Sequence, residues 1–236
     1  MSQAPDSHGP PNALPYGQVE RSFGGRFGVV IEARYDGILT AAADVFGRRG
    51  FHQASIREIA RAADLSVAGL YHYVGGKEEL LFLVLDRALD DLHASLDRAL
   101  ATARTPQTKL LALIRTHLDF GFHHPLELKL INRETELLAE ARRAEIGARR
   151  NAYVQRGLAI LRELDPHGRA GDELLSATNL LLGMLNGIAR RPHLTAGDEV
   201  GALAASVGAL FLHGFLERSA VVDGPPATTR GGGHDG

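Results

Sequence analysis

From about residue 33 to residue 217 apolar positions recur every three or four residues, and no run alternates over a useful length. That period predicts helices and no strands. The first predicted helix covers about 33–48, with Ile38, Ala42, Val45 and Phe46 on one face and Gly50 as its stop. Ser55 followed by Glu58 is a capping box that opens a second helix, whose Ile56, Ile59, Ala60 and Ala63 form one stripe. After the turn Asp64–Leu65, Ser66 caps a third helix of Val67–Tyr73. A long fourth helix opens at Lys77, carries Leu81, Val84, Leu85, Ala88, Leu92 and Leu96, and reaches about Ala103. Thr105–Pro106 starts a fifth and His124–Pro125 a sixth. The seventh runs from about Glu140 to Leu164, the eighth over Gly171–Ala189, and the ninth from a Thr195–Asp198 cap to about Glu217. The fold class is all-α, with about nine helices.

Residues 1–30 are rich in Pro, Gly, Ser and Gln without periodicity and read as a disordered arm; residues 220–236 read as a disordered tail for the same reason. The chain has no cysteine, so neither a disulfide framework nor a thiolate zinc site is available. With no basic-then-apolar leader and no apolar run of membrane-spanning length, a cytoplasmic protein without membrane contact is expected. The net charge of −2 gives no global attraction to nucleic acid, so any attraction must be local.

One stretch concentrates such chemistry. Residues 67–73, "VAGLYHY", hold two tyrosines and a histidine behind small Val67, Ala68 and Gly69, with no formal charge. The second and third helices have the proportions of a helix-turn-helix at about 55–74, in which the second helix enters the major groove N-terminus first. Val67, Ala68 and Gly69 let the backbone close on base edges, the apolar ones meeting thymine methyls. Tyr71, His72 and Tyr73 can donate to phosphates, and Lys77 lies at a helix N-terminus. Residues 34–77 hold six Lys and Arg against four Asp and Glu, a local excess of +2. On spacing alone, a bundle whose aromatics are core stays open.

The stretch "ILTAAADVFGRRGFHQASIREIARAADLSVAGLYHYVGGKEELL" resembles the DNA-binding head of the TetR family of one-component repressors. Ala41–Ala42, Phe46, Gly50–Phe51, Ser55, Ile59–Ala60, Leu65–Ser66, Gly69–Tyr73 and Lys77–Leu80 carry the likeness. The resemblance implies a helix-turn-helix domain over 31–78 and a ligand-binding and dimerisation domain over 79–219. It implies phosphate contacts from Tyr71, Tyr73 and Lys77, with Arg57 and the start of the third helix facing bases. The DNA-facing set is then Ser55, Arg57, Ser66, Val67, Ala68, Gly69, Tyr71, His72, Tyr73 and Lys77. Two positions depart from the family pattern. Asp64 stands where glycine is usual in the turn, and Gly75–Gly76 where a polar cap is usual.

In the body, Gly201, Ala204, Ala205, Gly208 and Phe211 on the ninth helix suit close approach to a partner copy, so a homodimer on an inverted-repeat operator is expected. Ordinary packing within one chain is the alternative. The fourth to eighth helices would enclose a pocket for a small-molecule inducer, with His117, Glu134, Tyr153, Asn179 and Asn186 as polar candidates and Phe120 and Leu182 as walls. Residues 128–154 weakly resemble TetR members that answer to acyl-CoA or steroid-derived CoA thioesters. Arg142–Arg143 and Arg149–Arg150, seven apart, form a cationic ladder that phosphates could use, unless Glu134, Glu136, Glu140 and Glu145 balance it as a solvated face. A helical adaptor that binds protein through its head is a second class of reading. An enzyme is a third and weaker one: His117, His123 and His124 do not converge across a proline break, and no nucleophile elbow, phosphate loop or dinucleotide fingerprint is present. No cofactor or metal is expected.

Overall fold

Side-chain caps at Ser55, Ser66 and Thr105 set where three of the helices begin. The computed structural model of the protein describes residues 26–190 and 198–216, with side chains from Ala33 to Arg190 and from Glu199 to Phe215. Among these residues there are nine α-helices and no strands: α1 (Arg26–Arg49), α2 (Ile56–Ala62), α3 (Val67–Tyr71), α4 (Lys77–Thr102), α5 (Pro106–His123), α6 (Pro125–Arg133), α7 (Glu140–Leu164), α8 (Gly171–Ala189) and α9 (Asp198–Leu216). A 3-10 turn, Thr135–Leu137, joins α6 to α7. The expected Thr195 cap, the tail and most of the N-terminal arm lie outside the described residues.

At α2 the Ser55 hydroxyl accepts from the Glu58 N–H at 3.2 Å while the Glu58 carboxylate accepts from the Ser55 N–H at 3.0 Å, a complete capping box. Ser66 accepts from the Gly69 N–H at 2.9 Å, and Thr105 makes a second capping box with Thr108. Asp64 sits at φ 53°, the left-handed conformation an aspartate tolerates. Its carbonyl accepts from Arg34 at 2.8 Å, which pins the turn to α1. Gly76 provides no side-chain cap for α4; Glu79 instead reaches back to the Gly75 N–H.

Two helices differ in length from the sequence reading. α1 starts at Arg26, inside the stretch expected to be disordered, because a lone Gly28 costs only about 1 kcal/mol and no proline intervenes. α3 ends at Tyr71, two residues early, where the Tyr73 N–H bonds to the Leu70 carbonyl three residues back and tightens the chain into a turn.

Ile38, Phe46, Ile59, Leu70, Leu80 and Leu81 are wholly buried and close the head around α1. In the body α5 is the axis, packed against α4, α6, α7, α8 and α9, with Leu110, Leu113, Ile114 and Leu118 at zero exposure. Each such side chain contributes roughly 2 kcal/mol of burial. Contact is tightest at Gly121, where a Cβ would fall 2.4 Å from Ala189 Cβ and push α5 off α8.

Candidate nucleic-acid interface and ligand cavity

The outer face of the head is built by α2 and α3. Arg57 and Arg61 are exposed one helical turn apart, and neither has an ion-pair partner among the described residues. Ala68, Tyr71 (45% exposed) and His72 are exposed on α3; Val67, Gly69 and Tyr73 are half-buried, and Tyr73 packs against the core. Ser55 and Ser66 are exposed but engaged as caps. Arg61 was not among the expected residues, although its place four residues after Arg57 puts it on the same face.

Lys77, expected at a phosphate, is engaged within the head. Its ammonium is turned into the head, donating to the carbonyls of Phe51 at 2.9 Å, Ala54 at 3.0 Å and His52 at 3.5 Å, and lies 4.4 Å from the centre of the Phe51 ring. Two carbonyls at about 3 Å and a third at 3.5 Å hold the ammonium, which fastens α4 to the loop before α2. The carbonyls also offset the cost of a cation at the positive end of a helix.

The body holds a cavity of about 350 Å³ between α4, α5, α6, α7 and α8. Leu89, Leu92, Leu128, Ile131, Val154 and Leu182 supply its apolar lining. Asn132, Asn151, Asn179, Asn186 and Arg150 supply its polar edge, with His117 and Tyr153 completing the wall. Six of the nine residues expected at a pocket therefore come together: His117, Arg150, Tyr153, Asn179, Leu182 and Asn186. Asn132 and Asn151 went unread in the sequence. A larger surface groove of about 510 Å³ runs along the α5–α6 turn, but it holds none of the buried polar candidates.

Three expected pocket residues lie elsewhere. Phe120, three residues past His117, is turned about 60° around the α5 axis; it lines a shallow groove and stacks on His124 at 5.0 Å. Glu134 sits past the end of α6, where it caps that helix away from the cavity. Arg149 pairs with Asp86 and Asp90 on α4. Arg142, seven residues before, pairs with Glu78 at 2.6 Å, and Arg156, seven after, pairs with Asp97. The expected ladder of paired arginines thus becomes in part a zipper between α7 and α4, balanced by α4 carboxylates, while Arg143 pairs with the neighbouring Glu136 at 3.9 Å.

The expected dimer residues divide as well. Ala204 has no exposure and Gly208 is buried against Ile114 and Leu111 of α5, so both serve packing within the chain. Gly201 and Phe211 are half-buried, and Ala205 is exposed. The large exposed apolar residues near this region are Leu180 on α8 (74%), Leu210 on α9 (70%) and Leu111 on α5 (41%).

His117 and Tyr153, each 4% exposed, are the electrostatic centre of the cavity. Burial pushes the His117 imidazole down to about 4, so it is neutral, and raises the Tyr153 phenol above its ordinary value. His117 Nδ1 and the Tyr153 hydroxyl are the buried side-chain polar atoms without a partner among the described residues. No group of His, Asp or Glu among these residues could hold a metal, and no helix is long and apolar enough to cross a membrane.

A tight two-helix unit on a three-helix head, carried by an all-α body with a cavity, is the architecture of a helix-turn-helix regulator. The chain matches the model for bacterial regulatory proteins of the tetR family over residues 38–84 and that for tetracyclin repressor-like C-terminal domains over residues 103–190. It belongs to the TetR family, whose members are transcription regulators and not enzymes. It is 36% identical over 94 residues to the HTH-type transcriptional activator FasR of Mycolicibacterium smegmatis, covering 40% of this chain and 43% of FasR. Such matches span 35% to 53% of the length of the curated relatives. A TetR-family regulator from Bordetella parapertussis superposes with a TM-score of 0.70 at 26% identity, covering 75% of this chain and 93% of that one. AibR, solved with isovaleryl coenzyme A and operator DNA, superposes with a TM-score of 0.66 at 27% identity, covering 76% of this chain and 98% of AibR.

Proposed function

We propose that the protein is a homodimeric repressor that binds an inverted-repeat operator and is released when a small, largely apolar molecule enters the body cavity. The observation that carries this is α4: it is clamped to the head by Lys77, lines the cavity with Leu89 and Leu92, and is zipped to α7 between them. A ligand that prefers one placement of α4 therefore has a mechanical route to the spacing of two heads. The partner copy would cover Leu180 and Leu210, in place of the inward Ala204 and Gly208.

The test is a salt titration on DNA recovered from the genome with the purified protein. Arg61→Ala should lower the slope of log K against log salt by roughly 0.9, the signature of one lost phosphate contact, whereas Arg57→Ala should relax the sequence preference at the base it faces. Salt-insensitive DNA binding, or a cavity ligand that tightens the complex, would overturn the reading.

An acyl-CoA effector is a second reading, favoured by the likeness to AibR and by Arg150 at the cavity edge. The pairing of Arg149 with α4 leaves that reading one arginine of the two it drew on.

A further inference from the structure

A short chain of hydrogen bonds fixes the tautomer of His117. The Asn132 amide nitrogen donates to the Leu128 carbonyl at 2.9 Å, and a backbone carbonyl can only accept, so that atom is the nitrogen. The same nitrogen lies 2.9 Å from the Asn186 side-chain oxygen, which is therefore an acceptor. His117 Nε2 lies 3.4 Å from that oxygen and must carry the hydrogen. In a neutral ring Nδ1 is then bare, a buried acceptor with no donor from the described chain. Tyr153, whose ring centre is 5.8 Å from that of His117, brings a hydroxyl in the same condition. The wall so formed asks for a donor at one atom and accepts or donates at the other.

We propose that the effector carries an uncharged hydroxyl on an apolar frame, the hydroxyl donating to His117 Nδ1 and accepting from Tyr153. This rests on the cavity being the effector site. A ketone or thioester carbonyl has no hydrogen for Nδ1 and leaves it unsatisfied. An N–H group serves Nδ1 but gives the Tyr153 hydroxyl nothing to donate to. A carboxylate sets its charge against the Nδ1 lone pair; Arg150 is the one charged residue in the lining, and it is half-exposed at the polar edge. A hydroxyl offers both a donor and an acceptor through one oxygen. Leu89, Leu92, Ile131 and Leu182 would hold the frame, which at about 350 Å³ is at the small end for bound ligands.

The test is calorimetry on the full chain without DNA, using 1-octanol, octyl methyl ether, octanoate and octanoyl-CoA. 1-Octanol should bind on the order of tenfold tighter than its ether, which keeps the oxygen but loses the donor. In Tyr153→Phe both the alcohol and the ether should bind on the order of threefold or more weaker with the preference between them kept, since each accepts from that hydroxyl, while the melting temperature holds or rises because an unpartnered hydroxyl has been removed. Equal affinity for alcohol and ether in the unaltered chain overturns the proposal, as does tighter binding of octanoate or octanoyl-CoA. So does a Tyr153→Phe chain that melts lower and binds both ligands as before, since the hydroxyl would then serve packing or a structural water. Binding of 1-octanol without any operator response would fail the repressor reading alone; operator release by octanoyl-CoA with no 1-octanol binding would fail this one alone.

Discussion

The head and the body leave polar groups without protein partners in opposite places. On the head these groups are at the surface, Arg57, Arg61 and Tyr71, where water solvates them at little cost. In the body they are His117 Nδ1 and the Tyr153 hydroxyl, both buried, where each unsatisfied atom costs about 1–3 kcal/mol. A surface of exposed cations takes a partner by releasing counterions, so its affinity follows salt. A wall of buried neutral groups takes a partner by hydrogen bonding, so it is indifferent to salt and sensitive to anything that charges it.

That sensitivity gives the largest expected effect. Burial lowers the His117 pKa from 6.5 to about 4, so between those values the unfolded chain binds a proton that the folded chain does not. Stability from this group is complete above about pH 6.5, falls by about 1.4 kcal/mol per pH unit on acidification, and levels off near pH 4 after a loss of about 3 kcal/mol. His93 and His124 shift in opposite directions nearby, so the measure is the difference from His117→Leu. Urea melts at pH 7 and pH 5 should show the unaltered chain losing about 2 kcal/mol more than the variant. Equal losses would mean the ring is not sealed, and the contrast between head and body would weaken.

The next effect separates fastening from DNA contact within the head. Lys77→Met keeps the stem over Phe51 and removes the donors from the Phe51 and Ala54 carbonyls, which should cost about 2 kcal/mol in a urea melt. Operator affinity should fall because the head loosens, but the salt slope should stay as it was. A slope reduced by roughly 0.9 with unchanged stability would restore the phosphate contact expected from the sequence.

Lys77 also marks where the sequence stops being readable. Ser55 with Glu58, Ser66, Thr105 with Pro106, and the left-handed Asp64 were legible because each is settled within about four residues of itself. The cavity was legible in outline, since a polar residue inside an apolar stripe must face something, and His117, Tyr153, Asn179 and Asn186 do line it. What the sequence did not show were placements decided by a distant segment. Lys77 chose carbonyls more than twenty residues away, Ala204 and Gly208 turned toward α5, and Gly121, to which no role was given, turned out to set the distance from α5 to α8. Residue type and period say that a face is apolar or charged, but not which neighbour it meets.

Arg149 and Arg150 put that limit into one measurement, with the smallest expected effect. They are adjacent and identical in type, but a step of one residue turns a helix by about 100°, enough to send Arg149 to Asp86 and Asp90 and leave Arg150 at the cavity. The Arg149 and Asp86 side chains are 25% and 19% exposed, so their pairing is only partly screened. Arg149→Met should cost about 1 kcal/mol, and Arg150→Met should stay within about 0.5 kcal/mol. The cycle of Arg149→Met with Asp86→Asn should then show a coupling of about 1 kcal/mol, while Arg150→Met with Asp86→Asn should be additive within about 0.3 kcal/mol. Coupling in the second cycle instead would place Arg150 on the α4 side of the zipper and remove the last cation from the cavity edge, and with it what remains of the case for a phosphate-bearing effector.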